Sequence, residues 1–153
     1  NFHLSNSPNT PDPPQIQLSN QHWQIIKSDV EALAPQEACG MLWGYRHENS
    51  FQVVIVRPVE NVLKSPTRFR MNPEQQIQIF LEMEDLNLQL VGIYHSHPHG
   101  PGHPSATDID EAYYPESVYI IFSPDSGAWQ ARGFLIREQQ TTPVRIKICE
   151  SNG

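Results

Sequence analysis

Residues 92–108 read GIYHSHPHGPGHPSATD, and the reading of this stretch decides both fold and chemistry. Four histidines fall between positions 95 and 103, followed by Ser105 and Asp108. The preceding QLVGIY is an apolar run that predicts a buried strand leading straight into the histidines. Side chains two residues apart on a strand share a side. His95 and His97 can therefore reach one metal ion from the strand's C-terminal end. Asp108 follows at the start of a short helix expected over 107–114. Two His and one carboxylate form a catalytic zinc set with one position left for water. The same set accepts other divalent ions. Ser105-Ala-Thr-Asp108 also fits an S-x-x-D helix start, in which both residues cap the helix. The two readings are compatible, because a cap can hold Asp108 where a ligand is needed.

Outward from this stretch, the chain alternates. NPEQQIQIFLEMEDLNL predicts a helix, with Asn72 as cap, Pro73 at its first position and Gln75 as capping-box partner. Ile77, Phe80, Met83 and Leu81 are expected on its buried face. ACGMLWGY and FQVVIVRPV read as two strands joined by the polar turn RHENS, and TRFRM reads as a short extended piece. Before them, a helix starts after Ser19 or Asn20. Its stripe is Trp23, Ile26, Val30 and Leu33, and Pro35 ends it. After the helix at 107–114, SVYIIFS, AWQARGFLIRE and PVRIKICE read as three closing strands separated by turns such as SPDSG. The expected fold is mixed α/β, a central mixed β-sheet flanked by helices in layers, spanning residues 16–153. Residues 1–15 hold four of the 14 prolines and are expected to form a disordered or loosely ordered tail.

Composition narrows the function. The chain has 153 residues, about one domain's worth, with 38% hydrophobic and 18% charged residues. No apolar run is long enough to span a bilayer. The net charge is −7, and no Lys/Arg cluster is dense enough to follow a phosphate backbone, so nucleic acid is not an expected partner. The polar start lacks the pattern of a secretory leader, and the two cysteines, Cys39 and Cys149, do not make a disulfide scaffold. Both favour a cytoplasmic setting. Apolar residues on the first helix or the last strands allow a homodimer. His99 and His103 read as exposed loop histidines, Cys39 as a small core residue, and the three tryptophans as core or rim. His3 in the tail is a remote candidate for a neighbouring molecule's metal.

The spacing His95-Ser96-His97, seven residues, then Ser105-Ala-Thr-Asp108 resembles the signature of the JAMM metalloproteases, the active branch of the MPN domain family. PQEACGMLWG resembles the family's glutamate-bearing segment, with Glu37 in place. PVEN at 58–61 and RFRMNP at 68–73 resemble its intervening strand and helix start. The resemblance covers residues 17–149 by element order. It implies one Zn²⁺ held by His95, His97 and Asp108, Glu37 as general base, and Ser105 as a donor to the developing oxyanion. It also implies cleavage of a peptide or isopeptide bond after the tail of a ubiquitin-like protein. An exposed strand edge would take that extended tail by β-addition. The nine residues between Asp108 and Val118 leave little room for added substrate-gripping segments. That compactness resembles the bacterial Mec-type branch, which removes an amino acid from a sulfur-carrier protein. A general isopeptidase and a non-catalytic MPN scaffold are the alternatives. Deaminase chemistry on a similar zinc-handling layout would need a P-C-x-x-C pair, which is absent.

Overall fold

The computed structural model describes residues 12–150. The elements run β1 (Gln15–Ser19), α1 (Asn20–Leu33), β2 (Cys39–His47), β3 (Ser50–Val59), α2 (Pro73–Asp85), β4 (Gln89–Ser96), α3 (Ala106–Asp110), β5 (Val118–Asp125), β6 (Ala128–Arg137) and β7 (Gln140–Cys149). The mixed sheet and its helices are as expected. Neither β1 nor the closure of the sheet was foreseen: the order β1-β3-β2-β4-β5-β6-β7 is a closed barrel. β1 lies parallel to both β3 and β7, and Gln15 already pairs with Ser50 and Arg145. The tail expected before residue 16 lies, up to residue 11, outside the described residues, as does His3. No helix among the described residues is long and apolar enough to cross a membrane.

The sheet has an apolar cluster on each side. The first contains Ile16, Phe51, Val91, Tyr94, Val118, Ile120 and Phe122, and α1 packs on it through buried Ile26 and Val30. Trp23 and Leu33 complete the stripe at partly buried positions. Ser19 caps this helix: its Oγ accepts from the His22 N–H at 3.0 Å. Gly40 leaves the space that the Tyr94 ring fills; a Cβ there would stand 2.2 Å from the ring. Tyr94 thereby reaches across to donate its hydroxyl to Asp29 on α1 at 2.6 Å.

The second cluster contains Cys39, Met41, Trp43, Val59, Met71, Ile79, Met83 and Ile93, beneath α2. A bulge decides which residues of β4 face it. Leu42 pairs with Gly92 and Trp43 with Leu90, so Val91 is the extra residue. Beyond the bulge the alternation is reset, and Ile93 and His95 point to the α2 side while Tyr94 points to the α1 side.

Two expectations for α2 are corrected. Its buried residues are Ile79 and Met83, whereas Ile77 and Leu81 are 63% and 60% exposed. The helix carries apolar residues at 77, 79, 80, 81 and 83, more than one stripe can hold. Seating through the pair four apart turns positions two residues away by about 200° towards solvent. Phe80 sits at the margin, edge-on to Trp43. The capping box also does not close. Asn72 Oδ1 accepts from the Glu74 and Gln75 N–H groups, but Gln75 Oε1 accepts from the Glu60 N–H at 2.8 Å, and the Asn72 N–H donates to the Glu60 carbonyl.

This seating predicts unequal costs. Ile79→Ala or Met83→Ala should lower unfolding free energy by about 2–5 kcal/mol, and Leu81→Ala by less than about 0.5 kcal/mol. Urea titrations of the three variants check the order.

Candidate metal centre

β4 sits between β2, antiparallel, and β5, parallel. His95 is flanked by Cys39 on one side and Ile121 on the other. Its imidazole is 1% exposed and stacks on Phe69, with ring centres 4.5 Å apart. His97 lies just past the strand, held by its N–H donating to the Phe122 carbonyl at 2.7 Å. Its Nδ1 is 2.7 Å from the Pro101 carbonyl oxygen. A carbonyl only accepts, so Nδ1 carries the proton and Nε2 of the neutral ring keeps a lone pair for a metal.

Asp108 reaches the same point from α3. The distances are 3.1 Å between His95 Nε2 and His97 Nε2, 3.2 Å from His95 Nε2 to Asp108 Oδ2, and 3.1 Å from His97 Nε2 to the same oxygen. Tetrahedral bonds of about 2.0–2.1 Å place neighbouring donors about 3.3 Å apart. The triangle therefore fits a single ion of zinc's size. The cap reading of Ser105 and Asp108 holds at the same time. Ser105 Oγ accepts from the Asp108 N–H at 3.0 Å, and the Ser105 N–H donates to Asp108 Oδ2 at 2.9 Å. The box that starts α3 thus fixes the carboxylate and places Ser105, itself exposed, beside it.

Glu37 arrives from the link between α1 and β2. It is 3% exposed, and a carboxylate oxygen lies with donor atoms of His95 and His97 in a group spanning at most 4.8 Å. That group could also hold an ion; Asp108 stands nearer to both rings. The neighbour Ala38 is stitched to the histidine strand: its N–H donates to Ser96 Oγ at 2.8 Å, and the Ser96 N–H donates to its carbonyl at 3.0 Å.

The charges are tuned unevenly. Burial, against the pull of His97 and with the push of Asp108, raises the Glu37 carboxyl to about 8. Burial lowers the His95 imidazole. Burial also works against a charged His97, but the bond to Asp108, the Pro101 carbonyl and two nearby carboxylates together raise it. Asp108 is partly buried, yet its bonds to both histidines hold it well below the usual carboxylate range. Cys39 lies fully buried with its thiol pushed up to about 12, first by burial, which makes it an inert core residue. Both cysteines are free. His99 and His103 are exposed.

Three residues near the site carried no assigned role in the sequence: Phe69, Ser96 and Asn61. Phe69 belongs to the extended stretch before α2 and also lines a groove of about 330 Å³ with Arg68, Arg70, Met71, Tyr113 and Tyr114. An asparagine closing PVEN, and a serine between two histidines, were the signals available.

A family model described as prokaryotic homologs of the JAB domain matches residues 19–133. The chain belongs to this family. A desampylase of Haloferax volcanii is 39% identical over 92 residues, 60% of this chain and 65% of that protein, just under two thirds of its length. A CysO-cysteine peptidase of Mycobacterium tuberculosis is 32% identical over 117 residues, 76% of this chain and 79% of that one. A solution structure of a protein from Desulfitobacterium hafniense matches with a TM-score of 0.81 at 30% identity, covering 90% of this chain and 94% of its own.

The raised Glu37 carboxyl gives a signed pH effect in metal-free protein. Folded Glu37 holds its proton up to about pH 8, whereas the unfolded group releases it near 4.5. Between those values the folded state binds more protons, so its stability falls as pH rises and levels off above about 8. Glu37→Gln should remove this part of the decline. With chelator present, the variant's melting temperature should overtake that of the unaltered protein between about pH 5 and 9.

Proposed function

We propose that this protein is a zinc-dependent metallopeptidase that cuts a peptide or isopeptide bond at the C-terminus of a small ubiquitin-like or sulfur-carrier protein. The observation that carries the reading is the 3.1–3.2 Å triangle of His95, His97 and Asp108 with the buried Glu37 carboxylate beside it. Zinc held by the triangle supplies Lewis acidity and a water of lowered pKa. Glu37 accepts the proton of the attacking water and returns it to the leaving amine. A carboxylate in this environment, away from bulk water, is suited to both directions of transfer. The Ser105 hydroxyl accepts from the Asp108 N–H and still has its own proton to donate to the oxyanion. Ser105 is not a nucleophile: neither histidine is free to act as its base while serving as a ligand, so no acyl-enzyme forms.

The substrate reading rests on the family and on the compact frame. The tail must reach the site in an extended form. The strands close into a ring, yet β1 pairs with β3 only over Ser50–Gln52 and β7 with β6 only over Gly133–Arg137, so stretches of strand edge stay open to the expected β-addition. The extended stretch before α2 is the available backbone beside the site. It is joined on one side only, by the Met71–Asn61 bridge and the Val62 N–H to Arg70 carbonyl bond. A tail laid along it passes Phe69, which touches His95. The name of the mycobacterial relative, a CysO-cysteine peptidase, supports release of a C-terminal cysteine, and that of a Thermus thermophilus relative, a probable conjugate cleaving protease, supports the isopeptidase alternative. Two free cysteines are consistent with work in a reducing cytoplasm.

Intact-mass spectrometry tests the reading on two substrates, a sulfur-carrier protein extended by one cysteine and a Lys-linked ubiquitin-like conjugate. Zinc-dependent loss of cysteine alone is the expected result. Cutting of the conjugate would replace it with the isopeptidase reading, and inertness of zinc-loaded protein towards both would favour a scaffold. Glu37→Gln should lower kcat by about 100- to 10,000-fold while zinc still binds. Ser105→Ala should lower it by about 100- to 1000-fold with KM little changed, as read from initial rates on the substrate that is cut.

A further inference from the structure

Asn61 is 4% exposed and lies outside the metal triangle, yet its carboxamide is fully committed. Nδ2 donates to the Glu37 carbonyl at 3.0 Å and to the Arg68 carbonyl at 3.1 Å. Oδ1 accepts from the Leu63 N–H at 3.1 Å and the Arg70 N–H at 3.0 Å. Two protons and two lone pairs are the whole capacity of the group. The same loop grips Glu37 a second time, since the Glu37 N–H donates to the Ser65 carbonyl at 2.8 Å. The peptide groups on both sides of the Glu37 α-carbon are therefore tied to residues 61–70, and Ser96 holds the next residue, Ala38.

We propose that Asn61 is a positioning residue for the catalytic carboxylate of Glu37. The proposal rests on the reading of Glu37 as general base. Glu37 stands in a link without regular structure, where backbone rotation would swing its side chain away from the site. A buried amide with every bond made permits one arrangement of the groups around it. Asn61 thus does for Glu37 what strand pairing does for His95. It also joins the carbonyl of Arg68 and the N–H of Arg70, so the residue between them, Phe69, is set against His95 by the same group. No other side chain of similar size serves. The change Asn61→Asp would keep the acceptors and lose both donors, and Asn61→Leu would leave four backbone groups unpaired.

The experiment has two readouts. In zinc-loaded enzyme, Asn61→Ala should lower kcat about 10- to 100-fold with KM changed less than about threefold, as a misplaced base requires. In the Glu37→Gln background the same change should cost less than about threefold, because there is no base left to misplace. Equal losses in both backgrounds would overturn the proposal in favour of general damage. Amide hydrogen exchange supplies the second readout, independent of any substrate. Asn61→Asp should keep protection at the Leu63 and Arg70 N–H groups and weaken it at Glu37, whose N–H bond to the Ser65 carbonyl depends on the loop that the Asn61 amide ties to the Glu37 carbonyl, with β4 and β5 unchanged. Full protection of Glu37 in this variant would overturn the proposal. Should the unaltered enzyme cut neither substrate, the functional reading fails on that arm, and exchange alone decides whether Asn61 holds Glu37.

Discussion

The placement of His95 inside a continuous hydrogen-bond ladder is the constraint on which the rest depends. β4 is paired along both edges, and its imidazole emerges between Cys39 and Ile121 with no freedom to shift along the strand. A metal centre tolerates little error in donor position. Of the three proposed donors, one is set by the sheet, the second by the first turn beyond it, and the third by a helix cap. Each of these three devices is locally rigid.

The same arrangement handles the cost of burying charge. Asp108 stays ionised because two histidines and the Ser105 N–H surround its oxygen. Glu37, at the margin of the group, lacks such partners and keeps its proton more readily. Two carboxyls of one site are thereby driven in opposite directions, one held as an anion and the other inclined to keep its proton, which suits the base role proposed for Glu37. Environment, more than residue type, divides the labour.

Much of this was legible in the sequence because the signals were local. Ser19 and Asn72 announce helix starts, the stripe from Trp23 to Leu33 faces the core as its spacing implies, and the histidine–serine–aspartate spacing brings its members to one point. What escaped was set by tertiary pairing. QIQLS is too short and too close to prolines to declare itself a strand, and it becomes one because β3 and β7 offer edges on both sides. The seating of α2 could not be read from a helix with apolar residues on several faces; the groove beneath Ile79 and Met83 chose. Asn61 was visible only as one polar letter in PVEN, since its four partners are scattered over residues 37–70.

The closing position of β1 bears on how the chain is made. The first described strand completes the barrel by lying beside β7, the last one. During synthesis this strand must wait, with its apolar Ile16 and Leu18 unburied on one flank, until almost the whole domain has left the ribosome. The ring is then shut by contacts such as that of Gln17 with Cys149, 132 positions away, the kind of pairing that forms slowly. The nascent chain therefore spends most of its translation as an open sheet, and this is the interval in which a chaperone would find it.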